Sequence, residues 1–162
     1  HKTQIDLTYN SNHIEGSRLT HDQTRYIFET NTIGVENEVL NVDDVIETSN
    51  HFRCIDMIID HAKAALTEKI IKELHTILKT GTSDSRKDWF AVGDYKKMPN
   101  EVGGMETALP EDVADRMKEI LTEYNSKEEK TLEDILEFHV KFERIHPFQD
   151  GKVTQRHQHK AA

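Results

Sequence analysis

The run Ile145-His146-Pro147-Phe148-Gln149-Asp150-Gly151 gathers three residue types that phosphate chemistry uses. An imidazole near neutral pH can take a proton from a hydroxyl, which makes His146 a candidate general base. Asp150 offers hard carboxylate oxygens to magnesium. Gly151 lets the backbone come close to a phosphate, and a helix after it would aim its first amides at that anion. These are parts for phosphoryl or nucleotidyl transfer. The spacing by itself better suits a helix end packed by Phe148 with a polar turn behind it.

Helices must position this run. Thr20, with Gln23 placed for a capping box, opens one helix, and Gly34 is its expected stop. A long helix is expected from Asn41 to about Ala65, turning Val42, Val45, Ile46, Phe52, Ile55, Ile59 and Ala62 to the core. Thr67 caps a helix with Ile70, Ile71, Leu74, Ile77 and Leu78 on one stripe, ended by Gly81. Pro110 suits a first helical turn, and Glu111 and Asp112 suit the positive end of its dipole. Val113, Met117, Ile120, Leu121 and Tyr124 form its apolar face. Thr131 and Asp134 open the last helix, carrying Leu132, Ile135, Leu136, His139 and Phe142. It must end near His146, because Pro147 disfavours helical geometry in the residue before it. Between Gly81 and Pro110 the helical period lapses. There Trp89–Tyr95 and Val102–Met105 are expected to pair as a short hairpin around Pro99 and Asn100.

Composition narrows the function classes. The 162 residues suit one domain with a real core. A net charge of -9 repels nucleic acid phosphates and argues against a general nucleic-acid binder, while a local basic pocket for one nucleotide is compatible. The lone Cys54 cannot form an internal disulfide, fits a reducing compartment and reads as a small core residue. No apolar run is long enough to span a membrane and the first residues lack the basic and apolar regions of a secretory signal, so a cytoplasmic location is expected. The chain has no GxxxxGK[ST] or GxGxxG loop. His157 and His159 could chelate a metal from an extended tail, though a solvated tail explains them better.

Three separated segments resemble the Fic family. His146-Pro147-Phe148-Gln149-Asp150-Gly151 is similar to the opening of its motif, His-Pro-Phe-x-Asp/Glu-Gly-Asn-Gly-Arg-x-x-Arg. Ser11-Asn12-His13-Ile14-Glu15-Gly16 resembles its inhibitory motif, Ser/Thr-x-x-x-Glu-Gly/Asn. Val92-Gly93-Asp94-Tyr95-Lys96-Lys97 through Val102-Gly103-Gly104 resembles its substrate-aligning flap. The resemblance implies an all-α, Fic-type helical bundle with a short β-hairpin flap, and transfer of AMP from ATP to a protein Tyr, Thr or Ser hydroxyl. It makes His146 the base, Asp150 the magnesium ligand and Gly151 a phosphate-binding residue; Lys152 and Arg156, which depart from the motif, are candidate compensating phosphate contacts. Val102, Gly103 and Gly104 become target-binding flap residues. Ser11, Glu15 and Gly16 become the inhibitory motif, with Glu15 pairing an arginine that would otherwise hold the ATP γ-phosphate. Some relatives self-associate, so the resemblance is compatible with a homo-oligomer.

The pattern breaks after Gly151. Lys152, Val153 and Thr154 stand where Asn, Gly and Arg are expected, His157 stands at the second Arg position, and Arg156 is one place early. A branched Cβ at Val153 hinders close approach to phosphate, and the Thr154 hydroxyl cannot replace a guanidinium. The polar tail 152–162 lacks an apolar stripe, so the C-terminal part reads as truncated or divergent. The expected organisation is one domain over 1–162, with an inhibitory segment 1–19, a helical core 20–151, a flap at about 89–105 and an atypical tail. The expected activity is an autoinhibited adenylyltransferase impaired by its altered loop. The alternatives are a non-catalytic Fic-like protein- or nucleotide-binding module, or a hydrolase removing AMP with Glu15 positioning water. A metal-dependent phosphohydrolase built on His146 and Asp150 is weaker, because two ligands rarely hold a catalytic metal.

Overall fold

The computed structural model describes residues 2–35 and 38–149. Its described elements are helices α1 (Lys2–Ile14), α2 (His21–Thr30), α3 (Val42–Asp60) and α4 (Glu68–Lys79), a 3-10 turn (Asp84–Arg86), strands β1 (Glu101–Val102) and β2 (Met105–Glu106), and helices α5 (Pro110–Asn125) and α6 (Leu132–Ile145). They divide into two units. The first holds residues up to Lys63 together with Thr76–Ser85; the second holds Ala64–His75 and the chain from Arg86 onward. No helix among the described residues is long and apolar enough to cross a membrane.

In the first unit α1, α2 and α3 pack on one another. Thr20 and Gln23 form the expected capping box at the start of α2. That helix stops earlier than expected, at Asn31, whose φ of 53 places it in the left-handed region that Asn tolerates. Gly34 instead lies in the following loop, where its carbonyl accepts a bond from the Gln23 side chain. Asn41 caps α3, which ends at Asp60 rather than near Ala65. Its inward face also differs from the expected one. Val42 and Ile59 are exposed, at 68% and 55%, and Ala62 is exposed too. The buried positions are Thr48, Asn50 and Cys54. Polar residues are tolerated there because each has a partner. Asn50 donates to Leu78 O and Thr80 O at the end of α4, and Thr48 accepts from Asn12 of α1. Burial pushes the Cys54 thiol up to about 11, as suits a core residue.

A second polar pair, Thr8 Oγ1 and His51 Nδ1 at 2.8 Å, joins α1 to α3. Burial holds His51 below its ordinary value. The unfolded chain takes up that proton below about pH 6.5 while the folded chain resists it, so stability falls as pH drops through that range. The urea midpoint should therefore fall more between about pH 7.5 and 5.5 for the native chain than for His51→Gln. Equal falls would exclude His51 as the cause.

The core of the second unit is Ile71, Ala108, Val113, Met117, Ile120, Leu121 and Ile145, with Phe138, Phe142 and Phe148 packed against it. Thr67 caps α4 through the Ile70 amide, and Pro110 opens α5 as expected. Thr131 and Asp134 form a capping box on α6. The face that α6 turns inward is Phe138, Phe142 and Ile145, spaced four and three residues apart. Leu132, Ile135 and Leu136, carried by the same helix, are exposed at 72%, 47% and 55%.

Candidate functional site

His146 is the C-cap of α6. Its φ of 46 and ψ of 68 are left-handed, and its amide still donates to Phe142 O at 2.9 Å. A proline at the next position cannot continue a helix, so the chain leaves α6 sharply at the imidazole. His146 is half-buried, while Pro147 and Gln149 are buried. Phe148 is anchored by a parallel stack on His75, 4.2 Å between ring centroids and 6° between planes. His75 is itself buried, stacks on Phe90, and accepts the Gly93 amide on Nδ1 at 2.9 Å. An accepting Nδ1 carries no proton, so His75 is neutral with its hydrogen on Nε2.

The segment before the hairpin grips the same turn. Lys96 N donates to Pro147 O at 2.7 Å, Met98 N to Gln149 Oε1 at 3.3 Å, and Asn100 Nδ2 to Phe148 O at 3.2 Å. Tyr95 fixes the start of this segment to α4 by donating to Glu68 Oε1 at 2.6 Å. Burial, then the Glu68 carboxylate, push its phenol well above the ordinary tyrosine range. Lys72 of α4 lies 4.3 Å from the Tyr95 ring and pairs with Asp94. The Tyr95 amide, more than Lys72, holds that carboxyl below its usual value.

The hairpin is not the one expected. Glu101 pairs with Glu106 and Val102 with Met105, so Gly103 and Gly104 form the turn. Residues Trp89–Tyr95 form no strand, and Asn100 is buried in hydrogen bonds rather than serving as a turn residue. The two glycines have φ of 57 and 78, as a two-residue hairpin turn matching strand twist requires. Neither has an atom within 4 Å of where a Cβ would stand, so the demand is on the backbone alone. Gly104→Val should destabilise the hairpin by about 1–2 kcal/mol and Gly103→Asn by much less. Loss of the Val102–Met105 cross-strand signals by NMR would register it; an unaltered hairpin in Gly104→Val would refute the argument. Val102 is 43% exposed and both glycines are open to solvent.

Ser11, Glu15 and Gly16 lie at the end of α1. The Glu15 amide bonds Ser11 O at 3.3 Å, Gly16 N bonds His13 O at 3.1 Å, and Ser17 N bonds Asn12 O at 2.9 Å. That pair of crossed bonds is a Schellman cap with Gly16 at its left-handed position, φ 99. Glu15 is therefore the C-cap that follows Ile14, exposed, with its carboxylate at the negative end of the dipole. Nothing in helix stability favours a glutamate there.

Asp150, Gly151, Lys152 and Arg156 lie outside the described residues, as do Val153, Thr154 and His157. Among the described residues no group of three or more His, Cys, Asp or Glu side chains is placed to hold a metal ion. Sequence reasoning missed His75, Lys96 and the true role of Asn100. No local pattern marks a buried lysine or an imidazole sandwiched between phenyl rings. The Gly103-Gly104 pair, by contrast, was a readable turn signal.

The Fic/DOC family model matches residues 65–157. Among solved structures, a Fic domain-containing signaling protein from Bacteroides thetaiotaomicron is 30% identical with a TM-score of 0.80, covering 93% of this chain and 57% of its own. A Fic family protein from Desulfovibrio desulfuricans is 23% identical, TM-score 0.73, over 91% of this chain and 43% of its own. A segment of Fic-1 from C. elegans is 19% identical, TM-score 0.73, over 93% and 44%. The last two show the fold alone, and this chain spans about half the length of these structures. No curated protein matches it. With a family model matching more than half of it and a 30% identical structure covering nearly all of it, the chain belongs to the Fic/DOC family.

Proposed function

We propose that this chain is an autoinhibited protein adenylyltransferase that moves AMP from ATP to a Tyr, Thr or Ser hydroxyl of a protein. The observation that carries the reading is the left-handed cap that presents His146 at the end of α6, held by the segment from which the hairpin springs. In the reaction the target oxygen attacks the α-phosphorus. The bond to the bridging oxygen breaks, pyrophosphate leaves, and the hydroxyl proton passes to His146. The exposed hairpin with Val102, Gly103 and Gly104 offers a short strand edge on which an extended target segment can lie.

Asp150 supplies the oxygen chemistry that magnesium prefers, and a bound magnesium neutralises phosphate charge. Gly151, Lys152 and Arg156 would contact the phosphates. Residues 1–19 would act as the inhibitory segment, with Ser11 and Gly16 framing Glu15. A carboxylate on the unfavourable end of a helix dipole breaks a local rule, as functional residues do. The Lys152, Val153 and Thr154 substitutions favour one second reading, a Fic-like module that binds protein or nucleotide without transfer.

Labelled ATP separates the readings. Adenylyl transfer puts label from the α-phosphate onto protein and none from the γ-phosphate. Label from the γ-phosphate alone would mean phosphoryl transfer instead. No label from either, with Glu15 replaced by Gly, would support the binding module.

A further inference from the structure

Lys96 is 2% exposed, an unusual position for a lysine. Its Nζ donates to Asn100 Oδ1 at 2.7 Å, Thr107 Oγ1 at 2.8 Å and Ile145 O at 3.2 Å. Ile145 O belongs to the last turn of α6, where carbonyls lack helical partners and the dipole is negative. Because His146 turns left-handed, α6 cannot supply a further donor, and the ammonium does so instead. Together Lys96, Met98 and Asn100 bond residues 145, 147, 148 and 149, one on each side of His146 and two beyond. Burying an ammonium carries a large desolvation cost, and a methionine would fill the same space without it. What the methionine lacks is the donor.

We propose that Lys96 is a positioning residue for His146: with Asn100, it fixes the turn 145–149 and so the placement of the imidazole. The proposal rests on the reading of His146 as the base. Among the described residues Lys96 donates to one backbone carbonyl and two neutral side-chain oxygens of its own unit, and loss of those bonds should lower kcat rather than raise the KM for ATP.

The test uses the full chain with Glu15→Gly, carrying Lys96→Met, Lys96→Arg or Asn100→Ala. Two quantities are read: amide hydrogen exchange over 143–149, and transfer kinetics. Lys96→Met should raise exchange over 143–149 about tenfold or more and leave 2–14 unchanged. It should lower kcat about 10²-fold with KM within about twofold. Lys96→Arg, which keeps the donor, should recover most of both. Unchanged exchange over 143–149 in Lys96→Met, a KM effect without a kcat effect, or an arginine variant as impaired as the methionine one would each overturn the proposal. If Lys96→Met does not fold, Asn100→Ala removes the Phe148 bond and one Lys96 acceptor, and unchanged exchange there overturns it equally. If the parent shows no transfer, the adenylyltransferase reading fails while the exchange arm still decides the positioning role.

Discussion

His146→Ala is expected to lower AMP transfer by on the order of 10²- to 10⁴-fold while sparing ATP binding. The loss follows from removing the proton acceptor, but alanine also sits poorly at φ 46. His146→Asn separates the two effects. Asparagine tolerates the left-handed cap and hydrogen-bonds, yet cannot accept the proton at neutral pH. The account expects both variants to be equally inactive, with ATP titrations unchanged. Transfer retained by His146→Asn would mean that the cap geometry, not the imidazole, is what the reaction needs.

Glu15→Gly is expected to raise transfer by on the order of 5- to 150-fold, the range of a typical coupling between two sites. The cap on α1 explains why the test is clean. Glu15 follows Ile14, the last residue within α1, and its side chain is exposed, so removing it should cost the fold little. Gly16 already supplies the left-handed turn, so the helix still ends in the same place. Comparing initial rates before and after substitution measures the effect. Equal rates would remove Glu15 from the inhibitory role. The altered loop sharpens the question: His157 stands where the motif expects its second arginine, so on the proposed reading Arg156 or His157 would have to pair with Glu15.

Much of this fold was legible because its helix ends are written in side-chain chemistry. Thr20 with Gln23, Thr131 with Asp134, and Pro110 each fixed a start that the structure reproduces. Faces were harder. On α3 the apolar Val42 and Ile59 are exposed while Thr48 and Asn50 are buried, because Asn12, Leu78 O and Thr80 O satisfy them. Hydrophobic period cannot register a polar group whose partner lies far along the chain. The hairpin was misplaced for a simpler reason. Pro99-Asn100 reads as a pair of turn formers, but Gly103-Gly104 offers the positive φ that a two-residue turn needs. At the candidate site, the helix end at His146 was legible from Pro147, whereas Lys96 was not, because nothing local distinguishes a buried lysine from a solvated one.

The account is tested most directly by the intact mass of the Glu15→Gly chain after incubation with ATP and magnesium, beside the same chain carrying His146→Ala. The account predicts a gain of one AMP in the first and none in the second. No gain in either would contradict it and leave a Fic-like chain that does not transfer AMP.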